Sequence, residues 1–121
     1  MTIATEGNTL GDLLMIEVHR GWTRQVGTIT AADLPLGTVL AKVAGKYQQI
    51  DFAGSGGAEV VAAVLAEDVA AAAGDLPGVV IARGAIINSN ALVWPAGATD
   101  PQKAGALAEL EALGIVPVAA L

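Results

Sequence analysis

The chain contains no cysteine among its 121 residues, so neither disulfides nor thiolate metal ligands are available and the fold must rest on packing. Aromatic residues make up only 3% of the sequence, too few for modules that stack on bases. The net charge of -6 at pH 7 repels phosphate instead of neutralising it, so nucleic acid is not an expected partner. No apolar run approaches the roughly 20 residues of a membrane-spanning helix, because the strongest one, Val60 to Ala66, is far shorter. A membrane is therefore not an expected partner either. The opening residues show no basic stretch followed by an apolar segment, so no secretory signal is expected, and synthesis and action in a cytoplasm fit the composition.

What is present is apolar aliphatic. Hydrophobic residues account for 54% of the chain and the mean hydropathy is +0.60, far above the range of a disordered sequence. The length suits one small domain, since half of it would not bury a sufficient core. Residues 1 to 12 carry Thr, Glu, Gly, Asn and Asp without sustained periodicity, and little local burial offsets the entropy of ordering them. The expectation is a flexible N-terminal arm over 1–12 and a domain over 13–121.

Within that domain, 13–18 and 22–30 read as short strands, and Asp33, Pro35 and Gly37 mark a turn. Residues 38–43 and 46–50, separated by Ala44 and Gly45, predict a hairpin. Residues 53–57 are a glycine-rich loop, and 58–65 is apolar enough for a buried strand, with a helix as the rival because of its alanines. An Ala-rich link over 67–73 leads to a turn over 74–78. Residues 79–87 are the strongest strand signal, expected to be central, with Gly84 marking a bulge or a close approach. Thr99 or Asp100 caps the one clear helix, with Pro101 in its first turn and Gln102 placed for a capping box. Leu107, Leu110 and Leu113 share a face of that helix, Gly114 ends it, and 115–118 is a terminal strand in which Pro117 suits an edge. The fold class predicted is mixed α/β and β-rich: a small compact single domain of short strands, one main C-terminal helix and the flexible arm.

Catalytic chemistry finds no foothold in this pattern. His19 has no cysteine, second histidine or activated serine to work with, so a packing or surface role outweighs a triad or metal site. The segment Gly54 to Glu59 has the glycines of a phosphate loop without its Lys-Ser or Lys-Thr. Glu59, Glu67, Asp68 and Asp75 are dispersed over several elements and read as solvated charge, not an acid–base pair. Neither an enzyme nor a cofactor nor a metal is expected. Trp94 and Pro95, beside Leu92 and Val93, are a candidate interface anchor, with a core plug ahead of the helix as the equal alternative.

Three stretches in order resemble the head decoration proteins of tailed bacteriophages, the family that includes the decoration protein of phage lambda. They are Leu34 to Lys42 with Gly45 to Tyr47, then Val64 to Asp68 with Val79 to Ala85, and Ala91 to Asp100 with the Ala/Leu helix after it. Gly11 to Leu14, Glu17, Thr23 and Arg24 extend the resemblance, which departs from the family's commoner polar pattern at Leu13, Met15, His19, Gly21 and Trp22.

The resemblance implies a homotrimer on the outer surface of an expanded phage capsid, made in the host bacterial cytoplasm. It would sit at local three-fold sites, bind the major capsid protein and stabilise the shell against internal DNA pressure. The family's N-terminal segment contacts the shell, which assigns capsid binding here to Ile3, Leu10, Gly11, Asp12, Leu13, Leu14 and Glu17. Two other readings compete with it: another virion part such as a tail or fibre adaptor, and a small ligand-binding domain built on scattered acids and Tyr47.

Overall fold

A computed structural model describes residues 9–119. The described chain begins with a helical turn, α1 (Leu10–Leu13), followed by strand β1 (Leu14–Glu17), a second helical turn α2 (Arg20–Thr23) and strand β2 (Arg24–Ile29). Then come β3 (Asp33–Leu34), β4 (Val39–Val43), β5 (Lys46–Gln49), β6 (Ala63–Leu65), β7 (Val69–Ala70), β8 (Leu76–Ile81) and β9 (Ala85–Asn88). A 3-10 turn at Ser89–Ala91, the helix α3 (Asp100–Ala112) and β10 (Ile115–Val118) complete the order. The fold is β-rich with one main C-terminal helix, as the sequence predicts.

Five strands close into a barrel in the order β2-β5-β4-β6-β8, and β1-β9-β10 form a separate three-stranded sheet. The short β3 and β7 pair with each other. Residues from all five barrel strands, Ile29, Tyr47, Leu40, Leu65 and Val80 among them, converge in one buried cluster that fills the barrel. Their sequence neighbours Val39, Ala41, Val64 and Ile81 join a second cluster with Leu13, Ile87, Leu110 and Ile115 on the other side of the wall. Because successive side chains point to opposite faces, β4, β6 and β8 are buried on both. Such strands read as continuous apolar runs, and this is why the sequence leaves strand and helix unresolved over 58–65, of which only Ala63–Leu65 forms a strand. Tyr47, paired with Ile29 of β2, enters the barrel because Gly27 two residues earlier has no side chain: a Cβ there would lie 2.4 Å from the ring.

The hairpin β4–β5 pairs Leu40 with Gln49 through Val43 with Lys46, as its glycine turn predicts. In α3 the Thr99 hydroxyl accepts from Gln102 N at 3.3 Å, while Gln102 Oε1 accepts from Thr99 N at 2.9 Å, completing the capping box. Ala106 and Leu110 are buried, and Leu107 and Leu113 pack alongside. β10 runs parallel to β9 at the sheet edge, where Pro117 has no ladder to interrupt on its outer side.

Several boundaries differ from expectation. The run 79–87 is two strands: β8 belongs to the barrel and β9 is the centre of the other sheet. Gly84, at φ +61°, is the corner between them and not a bulge inside one strand, while the close approach expected there is present: a Cβ would meet the Trp22 ring. β8 also starts inside the expected turn, with Pro77 and Gly78 paired to Thr28 and Gly27. The expected strand 22–30 starts as the helical turn α2, the turn at 31–37 holds β3, and the link 67–73 holds β7. Of the segment expected as an arm, residues 1–8 lie outside the described residues, whereas Leu10–Leu13 form α1. Among the described residues no helix is long and apolar enough to cross a membrane.

Candidate interaction face

β1 is an edge strand, hydrogen-bonded to β9 on one side. Its ladder slips at Met15: Leu14 opposes Ile87 and Ile16 opposes Ile86, so one residue is extra. Such a bulge disturbs the alternation of faces, and the two successive side chains Met15 and Ile16 are both exposed. Val18, just past the strand, is 69% exposed. Five of the eight exposed large hydrophobic side chains among the described residues are Met15, Ile16, Val18, Trp22 and Val26, all within twelve consecutive positions. Exposed apolar side chains gathered in this way are characteristic of interaction surfaces.

The segment is held in place from behind. His19 caps α2, its Nδ1 accepting from Gly21 N at 3.2 Å. Buried Thr23 donates its hydroxyl hydrogen to the Gly84 carbonyl at 3.0 Å, tying α2 to the corner between the two sheets. Arg83 donates to the Trp22 carbonyl and, at 3.0 Å, to Gln25 Oε1, and its guanidinium lies 5.9 Å from the centre of the Trp22 ring. Arg24 grips Glu17 with two parallel bonds, Nε to Oε2 at 2.8 Å and Nη2 to Oε1 at 3.0 Å, joining β2 to β1. That hydrogen-bonded guanidinium holds the Glu17 carboxyl below its usual range, with Arg20 and His19 adding smaller favourable fields against the cost of desolvation.

A cleft of about 430 Å³ opens between α1, β1 and Arg24. Four residues assigned to capsid binding by the resemblance, Leu10, Gly11, Leu14 and Glu17, line it together with Met15. Asp12 sits beside them but serves the helical turn: its Oδ2 accepts from Thr9 N at 2.8 Å, and its carbonyl accepts from Asn88 Nδ2 at 3.2 Å. Leu13 is fully buried in the main core and presents no surface. Ile3 lies outside the described residues. Trp94 is half-buried, stacks on Phe52 with ring centres 6.4 Å apart and packs against the main core. Pro95 borders a smaller cleft of about 150 Å³ beside Asp51 and Gln102. Among the described residues no group of three or more His, Asp or Glu is arranged to hold a metal.

The sequence family described as bacteriophage lambda head decoration protein D matches residues 3–115, nearly the whole chain. The chain belongs to that family. It is thus a phage head decoration protein, a structural component of the virion that binds the capsid. No curated protein matches it. The family match spans α1 to the first residue of β10, so a decoration protein's surface is to be sought on this domain. Sequence reasoning assigned four of the cleft residues but did not single out Ile16, Val18 and Val26. The signal for Ile16 and Val18 was the apolar run 13–18, too dense for an alternating half-buried strand, whereas Val26 stands alone between polar residues and glycine and only the structure shows that it faces outward.

Proposed function

We propose that this decoration protein binds the outer surface of the expanded phage head through the α1–β1 cleft and the free edge of β1, with the major capsid protein as its partner. It acts as trimers at local three-fold sites and holds neighbouring capsomers together against internal DNA pressure, a purely adhesive, non-catalytic role. Synthesis in the host bacterial cytoplasm precedes docking on the finished shell. The observation that carries this reading is the edge strand itself. Edge strands are normally blunted by charge or proline, because their unpaired N–H and C=O groups recruit other chains. Here the edge carries Met15, Ile16 and Val18, all exposed, beside a cleft floored by Leu10 and Leu14. An extended segment of the shell protein adding along it would gain backbone hydrogen bonds and apolar burial together. Ile3, which the resemblance also assigns to capsid binding, has the same partner.

The test is co-sedimentation with expanded and unexpanded heads of the parent phage, followed by protection of filled heads against heat or chelator. Binding and protection of the expanded form alone is expected. A version lacking residues 1–8 keeps Leu13 and hence the core, so its loss of binding reports recognition and not folding. Equal sedimentation with unexpanded shells would refute the preference for the expanded head.

A further inference from the structure

A cyclic trimer of identical subunits must use two different surfaces per subunit, one meeting the other on the next copy. We propose that these surfaces are the Trp22–Val26 ridge and the Asp33–Asp68 groove, so that a second copy of this chain docks head-to-tail on the barrel. The inference rests on the trimer reading above and names the contact within it.

The ridge carries the most exposed large hydrophobic side chain among the described residues, Val26. Val26 is 73% and Trp22 50% exposed. Arg20, exposed at the start of α2, shares a shallow cleft with Val26, Arg24 and Val79. All three arginines of the chain, Arg20, Arg24 and Arg83, gather at this corner, a concentration of positive charge on a protein of net charge -6. Arg24 is neutralised by Glu17 and Arg83 is turned onto Trp22, which leaves Arg20 as the arginine whose charge is open to a neighbouring molecule. Tryptophan and arginine are the side chains that most often anchor interfaces.

The groove offers the complement. It encloses about 470 Å³, with Leu34 and Val69 at its base and Pro35 and Ala70 exposed at its sides. Asp33 and Asp68 stand exposed on its rim, and each is aimed by its own backbone contact. Asp33 Oδ1 accepts from Ala72 N at 3.1 Å and Asp68 Oδ1 from Leu36 N at 2.7 Å. Each keeps its second oxygen for a partner.

Both surfaces flank one ladder. β2 and β8 pair from Arg24 with Ile81 to Ile29 with Leu76, a span of about 17 Å at ~3.4 Å per residue. The ridge lies along its first half, with Val26 opposite Val79. The groove's Val69 reaches the same ladder from the buried side at Gly78, opposite Gly27, where a Cβ would fall 2.8 Å from Ile29 Cγ1 and 3.0 Å from Val69 Cγ2. A positive apolar knob and a negative apolar groove are thus two different surfaces of one barrel, as a head-to-tail ring requires.

The test is a charge exchange on the full chain. Association of the wild type, R20D, D33R and the R20D/D33R pair is measured by sedimentation velocity at low salt, and by cross-linking on sedimented heads. Each single change is expected to weaken association about tenfold or more, and the pair to recover most of it. Asp33→Asn, which keeps an acceptor for Ala72 N, is expected to weaken it without altering the fold. If the wild type forms trimers and the single variants do so equally well, this contact is wrong and the trimer stands. The contact is equally wrong if the folded pair fails to recover. A wild type that is monomeric in solution and on heads overturns the trimer and this contact with it.

Discussion

Trp22 occupies the space that a side chain at Gly84 would need: a Cβ there would come within 2.2 Å of the indole Cζ3. The two residues are 62 positions apart, one in α2 and one at the corner between the barrel and the other sheet. Their contact fixes the exposed ridge to the junction of the fold. The Gly84 carbonyl also accepts from Thr23, so the backbone on both sides of the contact is pinned.

Gly84→Ala should therefore act twice, by clashing with the ring and by placing an L-residue at φ +61°. A loss of about 1–3 kcal/mol is expected in urea unfolding, together with a change in Trp22 fluorescence. An unshifted midpoint would mean that Trp22 swings away freely and is not fixed by this corner.

Leu110 is fully buried where α3 meets the barrel wall. Its replacement by Ala should cost about 2–5 kcal/mol. The exposed neighbour Ala108 provides a control: Ala108→Ser should leave thermal unfolding within about 0.5 kcal/mol of the wild type. Similar effects at both positions would contradict the helix orientation.

Glu17 and Asp75 both titrate below their ordinary values of 4.5 and 3.8, each because a cation, Arg24 or Lys46, hydrogen-bonds the carboxylate. A carboxyl whose folded pKa is depressed contributes stability above its unfolded pKa and loses it as the pH falls through the folded one. Stability should accordingly hold from neutral pH down to about 4.5 and fall below that. In Glu17→Gln the part of this acid sensitivity that comes from the β1–β2 ion pair should disappear. An acid limb identical to that of the wild type would show that the pair does not contribute.

Ile16→Asp and Val18→Asp place charge on the free edge of β1 without touching the core. Unfolding midpoints should stay close to the wild type, within about 0.5 kcal/mol, while sedimentation with expanded heads is lost. Retained binding in both variants would move the docking site off β1.

Elements specified by near neighbours were legible in the sequence. The β4–β5 hairpin follows from two short β-prone runs around Ala44 and Gly45, and α3 from Thr99, Pro101 and Gln102, whose capping contacts form as their spacing implies. Features set by distant partners were not. Val79 to Ile87 reads as one strand because nothing local reveals that β8 and β9 join different sheets. α2 was hidden because its cap is a histidine, not one of the usual Ser, Thr, Asp or Asn. Of the candidate site, Leu10, Gly11, Leu14 and Glu17 do line one cleft, but Leu13, adjacent to them in sequence, turns inward. The sequence shows that both Leu13 and Leu14 are apolar; the sheet against which α1 packs decides which one is covered.

The placement of β9 has a mechanical consequence. β1 runs antiparallel and β10 parallel to it, with Leu14 opposite Ile87 and Val118 opposite Asn88. The first and last strands of the described chain therefore meet the outside at the same end of one sheet, two strand spacings or about 9.5 Å apart. Tension applied between them would peel β1 and β10 from β9 one bond at a time instead of shearing both ladders at once. Load reaching the domain through its flanking segments would thus open this small sheet first and leave the closed barrel standing.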